Sequence, residues 1–189
     1  MVLCEIISVG DELLSGFVLN RNAATIGEKL FEIGYVVRWV TTIGDDHEEL
    51  LKAFDHAFHR AKIIIITGGL GPTHDDVTKK AVSEFFNSKL VFRPEIMTRI
   101  EALFRKLGRN MAKVNREQAY LPDKAELIHN EVGTAPGMIL TREGRIFYFL
   151  PGVSYEMKNM MEHTVIPKLQ NQTDKKGVRF RIFMNYFPV

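Results

Sequence analysis

The sequence predicts an α/β fold of three layers (α/β/α), with helices on both faces of a mainly parallel central sheet. Over the first 90 residues, short apolar runs rich in β-branched residues alternate with segments of helical periodicity. The run Ile63–Thr67 is apolar at every position but the last, which is typical of a strand covered on both faces. The segments between these strands are long enough for right-handed helical crossovers, so the strands are expected to lie parallel.

The elements of the first half follow this alternation. They are a strand at Val2–Val9, a helix at Asn22–Ile33, a strand at Tyr35–Thr42, a helix at Glu48–Arg60, a strand at Ile63–Thr67 and a helix at about 76–86. Gly34 ends the first helix, as glycine often does. In the second helix, Leu50, Phe54 and Ala57 recur at helical spacing and predict one buried face.

The second half departs from this alternation. Helices are predicted at Pro94–Leu107, Asn115–Tyr120 and about Ser154–Leu169, and strands at Ala125–Ile128, Met138–Thr141 and Arg145–Leu150. The first two helices form a small helical insertion at about residues 92–120. The sequence therefore predicts one domain over residues 1–170. Residues 171–189 are predicted to be a linker and the first strand of a connecting domain that is missing or small.

Composition limits the classes of function. Lysine and arginine total 25 and aspartate and glutamate 23, so the net charge of +2 does not indicate a nucleic-acid partner. The single cysteine, Cys4, excludes an intrachain disulfide and is typical of a reducing compartment. No apolar run approaches the length of a membrane span. We expect a cytoplasmic protein with a small-molecule partner and no membrane or nucleic-acid partner.

A glycine-rich turn, Gly68-Gly69-Leu70-Gly71, follows the strand Ile63–Thr67 and precedes a helix. Such turns direct backbone N–H groups toward an anion, and the helix dipole favours the same ligand. The spacing matches neither a dinucleotide fingerprint nor a P-loop, which argues against common redox and phosphoryl-transfer folds. Two interpretations stay open: a phosphate-binding loop, or a tight turn that needs positive φ angles.

Carboxylates lie at or just past the ends of the first three predicted strands. They are Asp11, Glu12, Asp45, Asp46, Asp75 and Asp76. Some of them have a structural alternative, because Asp45 precedes Glu48 by three residues and Thr73 precedes Asp76 by three, as in helix capping boxes. A cleft that holds several carboxylates repels a phosphate unless a cation lies between them. Oxygen ligands favour Mg²⁺ or Mn²⁺, and the pattern therefore favours a diphosphate bridged by a metal ion. Lys79 and Lys80 lie one turn into the next helix, and two interpretations stay open: one of them reaches a ligand phosphate, or both are exposed surface lysines, which is the expectation.

Five segments resemble the molybdopterin-binding (MoCF) domain family. Within it they are most similar to the N-terminal domain of CinA-type competence/damage-inducible proteins, and also to the corresponding domain of FAD synthases. The segments are Val9–Gly16 with Asn20 and Asn22, Ile43–Asp45, Gly68–Thr78, Gly133–Gly137 and Leu150–Met157. They occur in the family's order across roughly residues 3–170. Asp11 stands where CinA-type sequences usually carry threonine and is more like the FAD-synthase and molybdopterin-transfer branches.

The resemblance implies two activities. One is hydrolysis of the diphosphate of ADP-ribose or FAD with Mg²⁺, Mn²⁺ or Co²⁺, and the other is molybdopterin binding in molybdenum-cofactor assembly. A non-catalytic ligand-binding module is a third possibility. CinA-type proteins generally continue into a nicotinamide-mononucleotide deamidase domain that this sequence does not contain, so that activity is not carried over. Family members commonly form dimers or trimers, which implies a homo-oligomer.

The residues and the resemblance together give a set of candidate site residues. Those predicted to be catalytic and to bind the metal are Asp45, Asp75 and Asp76. Those predicted to bind the ligand or its phosphate are Gly10, Asp11, Glu12, Asn22, Gly68, Gly69, Gly71, Thr73, Thr78, Gly133, Pro151 and Gly152.

Overall fold

A computed structural model describes residues 2–71 and 77–172 of the chain. Its strands are β1 (Leu3–Val9), β2 (Val36–Ile43), β3 (Ile63–Thr67), β4 (Leu90–Phe92), β5 (Tyr120–Pro122), β6 (Glu126–Ile128), β7 (Gly137–Arg142) and β8 (Arg145–Leu150). Its helices are α1 (Asp11–Leu14), α2 (Arg21–Glu32), α3 (His47–Arg60), α4 (Val77–Phe85), α5 (Pro94–Lys106), α6 (Ser154–Met160) and α7 (Ile166–Gln172). A 3-10 helix covers Lys113–Ala119, and a π-helical turn at Met161–Val165 joins α6 to α7.

Six of the strands form one sheet in the order β2-β1-β3-β8-β7-β6. The pairs β1–β2, β1–β3 and β3–β8 are parallel, whereas β7 runs antiparallel to both β8 and β6. The prediction of a mainly parallel sheet is confirmed. The four parallel strands all end at one side of the sheet, which we call the carboxyl edge, and begin at the other, the amino edge.

Both faces of the sheet are buried, which confirms the three-layer prediction. Side chains of β3 alternate between two hydrophobic clusters because successive residues of a strand point to opposite faces. Ile64 and Ile66 pack with α3 and α4, and Ile63 and Ile65 pack with α2 and with the helices after β8. Cys4 lies in the second cluster, where burial raises the pKa of its thiol to about 12.

The structure departs from the predicted elements at the short helix α1, which was not predicted, and in two further features. The strands β4 and β5 pair as a separate antiparallel ribbon that brackets α5 and the 3-10 helix. The helix predicted at Ser154–Leu169 contains a π-helical turn immediately before α7. Pro167 lacks the N–H that would continue the α-helical bonding, and a π turn accommodates that loss.

Lys79 differs from its predicted exposure. The side chain is buried, and its Nζ donates to the carbonyl oxygen of Glu117 at 2.6 Å. The 3-10 helix that contains Glu117 therefore covers this part of α4. In the described ranges, no helix has both the length and the apolar character needed to cross a membrane.

Candidate functional site

The carboxyl edge brings together most of the predicted site residues that the structure describes. Gly10 follows β1, Asp45 follows β2, Gly68 follows β3 and Pro151 follows β8. Open α/β sheets bind ligands beyond the carboxyl ends of their strands. Thr73, Asp75 and Asp76 lie outside the described residues, so their roles stay predictions.

Two acidic loops are connected at this edge. Asp11, the first residue of α1, accepts a hydrogen bond on Oδ1 from the backbone N–H of Asp45 at 3.2 Å. Gly10 donates its own N–H to the carbonyl oxygen of Ile43 at 3.0 Å, and the carboxylate of Glu12 folds over Gly10. The ends of β1 and β2 are thus held against each other with three carboxylates nearby.

Asp45 does not cap α3. The N-cap of that helix is Asp46, which accepts from the N–H of Glu49 at 3.0 Å. The helix-capping interpretation of Asp45 is therefore wrong, and its exposed side chain lies just beyond the end of β2.

The glycine turn after β3 is required by its packing. Gly68 has a φ of +104° and donates its N–H to the carbonyl oxygen of Leu150 at 3.1 Å. A Cβ at Gly68 would overlap the carbonyl oxygen of Val9, and one at Gly69 (φ +68°) would overlap Oγ1 of Thr78. The conformational interpretation of these glycines is confirmed. Gly71, the last glycine of the turn, is exposed.

Asn22 acts as a clamp between α2 and two strand ends. Its amide nitrogen donates to Oγ1 of Thr67 at 3.3 Å and to the carbonyl oxygen of Gly152 at 2.7 Å. Its Oδ1 accepts from Ser154 Oγ at 2.7 Å, and Thr67 donates to the carbonyl oxygen of Pro151 at 2.9 Å. Asn22 therefore positions the walls of the site with every polar atom of its amide engaged.

Above this clamp lies a cavity of about 460 Å³. It is lined by Ser8, Val9, Glu12, Leu13, Phe17, Val18, Leu19, Asn20, Arg21, Asn22, Thr67, Gly68, Gly152 and Ser154. The sequence pointed to Glu12, Asn22, Gly68 and Gly152 but missed Ser8, Arg21 and Ser154. A serine near the end of an apolar strand was the available signal for Ser8.

Gly133 lies in a different environment. It lines a second cavity, of about 260 Å³, between α5 and the segment 129–136. A Cβ at Gly133 would overlap the buried carboxylate of Glu156, which accepts a hydrogen bond from Asn130 Nδ2. Burial raises the pKa of Glu156, and hydrogen bonds from Asn130 and Tyr155 oppose that effect. Glu156 thus holds the Gly133 segment, while the predicted ligand contact of Gly133 itself stays a prediction.

The described residues fit a divalent cation in kind but do not complete its ligand set. Carboxylates are the oxygen donors that Mg²⁺ and Mn²⁺ prefer, and Asp11 and Asp45 are neighbours at the carboxyl edge. Within residues 2–71 and 77–172, no group of three or more histidine, cysteine, aspartate or glutamate side chains is placed to hold a metal. Two of the three predicted metal ligands, Asp75 and Asp76, lie outside the described residues.

Fold and site geometry together define a ligand-binding α/β domain. The chain belongs to the family described as probable molybdopterin binding domain, which matches it over residues 5–171.

Curated relatives carry the names CinA-like protein and competence-damage inducible protein. The CinA-like protein of Dictyoglomus turgidum is 47% identical over 166 residues, covering 88% of this chain and 40% of that protein. The CinA-like protein of Flavobacterium psychrophilum is 40% identical over 182 residues, covering 96% of this chain and 44% of that protein. The chain thus spans less than half the length of these relatives.

Solved structures share the fold. The CinA protein from Thermoplasma acidophilum, described as of unknown function, superposes with a TM-score of 0.78 at 32% identity, covering 89% of this chain and 97% of that one. The molybdopterin biosynthesis enzyme MoaB from Thermus thermophilus superposes with a TM-score of 0.61 at 20% identity, covering 89% and 92% of the two chains. At that identity the second likeness concerns the fold alone.

Proposed function

We propose that this domain hydrolyses the diphosphate bridge of a nucleotide diphosphate such as ADP-ribose or FAD, with the help of a divalent cation. One observation carries the proposal: acidic side chains and a glycine turn meet at the ends of three adjacent strands. Asp45 and Asp11 follow β2 and β1, and Gly68 and Gly69 follow β3. Because β1 lies between β2 and β3, the acids and the turn are neighbours at one edge.

The chemistry of a phosphate explains why both features are needed. The N–H of Gly68 is engaged by Leu150, but the backbone N–H groups of Gly69 and Gly71 and those at the start of α4 are suited to an anion. Carboxylates beside that anion would repel it. A bound Mg²⁺, Mn²⁺ or Co²⁺ would neutralise this repulsion and polarise the phosphoryl oxygen. Its proposed ligands are Asp45, Asp75 and Asp76.

The chain's own residues hold the reacting groups in place. Asp11 fixes the backbone of Asp45 through its Oδ1. Asn22 fixes Gly152, where an added Cβ would lie 3.3 Å from the Cα of Gly68. The walls on both sides of the turn are therefore set before a ligand arrives, which lowers the entropic cost of orienting the diphosphate. Hydrolysis adds one water across the P–O–P bridge of ADP-ribose and releases AMP and ribose 5-phosphate.

A turnover assay tests this function. Purified protein is incubated with ADP-ribose, FAD or NAD, each with Mg²⁺, Mn²⁺ or Co²⁺ or with a chelator, and AMP is followed by chromatography. We expect AMP release that requires the cation. Asp45→Asn and Asp76→Asn should each lower the rate by about 100-fold, since each removes one charge from the cation's ligands.

Asp55→Asn provides the matched control. Asp55 is an exposed aspartate about two helical turns along α3 from the first residue of that helix. Its carboxylate lies 3.6 Å from the ring of His59 on the same helix, away from the carboxyl edge. The rate of AMP release by the Asp55→Asn variant should stay within about twofold of the wild-type rate. Folded protein that releases no AMP from any substrate with any cation would overturn the hydrolase proposal.

A second function, molybdopterin binding, is favoured by the family match over residues 5–171. The glycine turn and the neighbouring acids serve a pterin phosphate as well as a nucleotide diphosphate. Under this alternative, titration with molybdopterin gives saturable binding while ADP-ribose is left intact. Cation-dependent AMP release without any pterin binding would contradict it.

A further inference from the structure

Three hydroxyl side chains form a row across the carboxyl edge. Ser8 of β1 is in register with Thr42 of β2 on one side and with Thr67 of β3 on the other. Residues in register on adjacent parallel strands point to the same face of the sheet. Here that face is the one covered by α2, because Asn20 donates to Thr42 Oγ1 at 3.4 Å and Asn22 donates to Thr67 Oγ1 at 3.3 Å.

The middle hydroxyl differs from the outer two. Ser8 is 0% exposed, and its Oγ has no hydrogen-bond partner in the described part of the chain. Buried hydroxyl groups are nearly always paired, since leaving one without a partner destabilises the fold. The outer threonines are engaged by the start of α2, so Ser8 alone in this row keeps its hydrogen-bonding capacity for another group.

Ser8 lines the 460 Å³ cavity, and one part of the cavity's lining is apolar. Leu13, Phe17, Val18 and Leu19 all line it. Phe17 is 91% exposed, so its ring is open to a ligand. A cavity of this size, lined by apolar and polar side chains together, is typical of small-molecule sites.

We propose that this cavity binds the heteroaromatic ring of the ligand, with a polar edge of the ring hydrogen-bonded to Ser8 Oγ and one face against Phe17. The inference rests on the proposed function, which places the ligand's phosphate on the adjoining Gly68 turn. A serine hydroxyl both donates and accepts, so it pairs with a ring nitrogen or an exocyclic group. An aromatic side chain stacks on the ring face without distinguishing one ring from another.

Adenine and pterin rings both have this chemistry, and the experiment separates them. Dissociation constants are measured by calorimetry, in the presence of Mg²⁺, for AMP, for ribose 5-phosphate, which lacks the ring, and for 6-hydroxymethylpterin. Ser8→Ala should weaken binding of the ring-bearing ligand by about 3- to 10-fold, the usual effect of one neutral hydrogen bond. Phe17→Ala should weaken binding of the same ligand by a similar factor. Ribose 5-phosphate should be unaffected by either variant.

Ser83→Ala is the matched control. Ser83 Oγ is also buried without a partner in the described residues, but it lies on α4 and does not line this cavity. The chemical change is identical, so a loss of binding in Ser8→Ala alone is due to its position. The melting temperature of Ser8→Ala should equal or exceed that of the wild type, because an unpaired hydroxyl is removed.

Several results would overturn the inference. They are unchanged binding of both ring-bearing ligands in Ser8→Ala, equal weakening of AMP and ribose 5-phosphate, or no binding of either ring-bearing ligand to the wild type. The ligand whose binding is selectively weakened by Ser8→Ala identifies the ring as adenine or pterin. If AMP release fails while the selective effect of Ser8→Ala remains, the hydrolase proposal is wrong and ring binding stands.

Discussion

The two edges of the central sheet treat their polar groups in opposite ways. At the amino edge, the guanidinium group of Arg142 lies over Phe58 and Phe85 at 4.9 and 4.7 Å and donates to the carbonyl oxygen of Phe85. Arg145 lies over Phe58 at 4.7 Å and donates to that residue's carbonyl oxygen. These charges are engaged in stacking and hydrogen bonds that hold the layers together.

At the carboxyl edge the polar groups are held in position around a cavity. Asp11 fixes Asp45, whose side chain is exposed, and Ser8 keeps a hydroxyl without a partner in the described residues. Gly68 and Gly69 have positive φ angles there, and Gly68 lines the cavity. The comparison teaches that the polar groups of one edge stabilise the fold, whereas those of the other edge are suited to bind a small-molecule ligand.

The largest expected effect is a difference in unfolding free energy between alanine variants of one glycine at each edge. Gly68 at the carboxyl edge and Gly144 at the amino edge both have positive φ angles, +104° and +75°. An alanine Cβ at Gly68 would overlap the backbone oxygen of Val9, whereas Gly144 has open space around it. In urea unfolding, Gly144→Ala should cost about 1 kcal/mol and Gly68→Ala about 3 kcal/mol or more. Equal costs would remove the steric argument for the turn.

The next effect concerns a buried charge near the amino edge. Glu5 is buried on β1 and accepts from Arg60 Nε at 2.7 Å, and Arg60 also lies over Trp39 at 5.0 Å. Arg60→Ala leaves the carboxylate without its cation and should lower the unfolding free energy by about 3 kcal/mol. AMP release at a temperature where the variant is folded should be unchanged.

The double variant Arg60→Ala/Glu5→Gln sharpens this test. Removing the charge from Glu5 should restore part of the lost stability, whereas Lys62→Ala, a change at an exposed neighbour, should have little effect. A fall in AMP release in the folded Arg60→Ala variant would contradict the division between the edges.

The smallest expected effect is a pH dependence of the unfolding free energy, which arises from Glu156. Burial raises the pKa of Glu156, so the folded protein keeps a proton that the unfolded chain has already released. The unfolding free energy should therefore fall as the pH rises from the ordinary glutamate pKa through the raised one. Glu156→Gln keeps an acceptor for Asn130 and lacks this titration. Melting temperatures measured from about pH 4 to 8 should fall more for the wild type, and parallel profiles would contradict the assignment.

Local signals predicted the sheet well. The strands Ile63–Thr67 and Arg145–Leu150 have the predicted bounds, because apolar β-branched and aromatic runs between helical segments leave little ambiguity. The ribbon of β4 and β5 was missed, since each strand has only three residues and its partner is far along the chain. Exposure of Lys79 was predicted wrongly because the 3-10 helix that covers it arrives from that distant segment.

The features of the candidate site were also predictable from the sequence only in part. Glycines and acids at strand ends are visible in the sequence, because the carboxyl ends of parallel strands converge whatever their spacing. The clamp made by Asn22 and the lack of a partner for Ser8 among the described residues depend on the register of three strands and the position of α2. No local pattern encodes that register, so these roles needed the structure.

The most direct test of the account is a crystal structure of the protein with Mn²⁺ and AMP, with manganese located by its anomalous scattering. We predict manganese on the carboxylate of Asp45 with Asp75 or Asp76, the phosphate on the Gly68–Gly71 turn, and adenine over Ser8. AMP bound at the amino edge, or manganese held away from these carboxylates, would contradict the claim that the carboxyl edge is the catalytic edge.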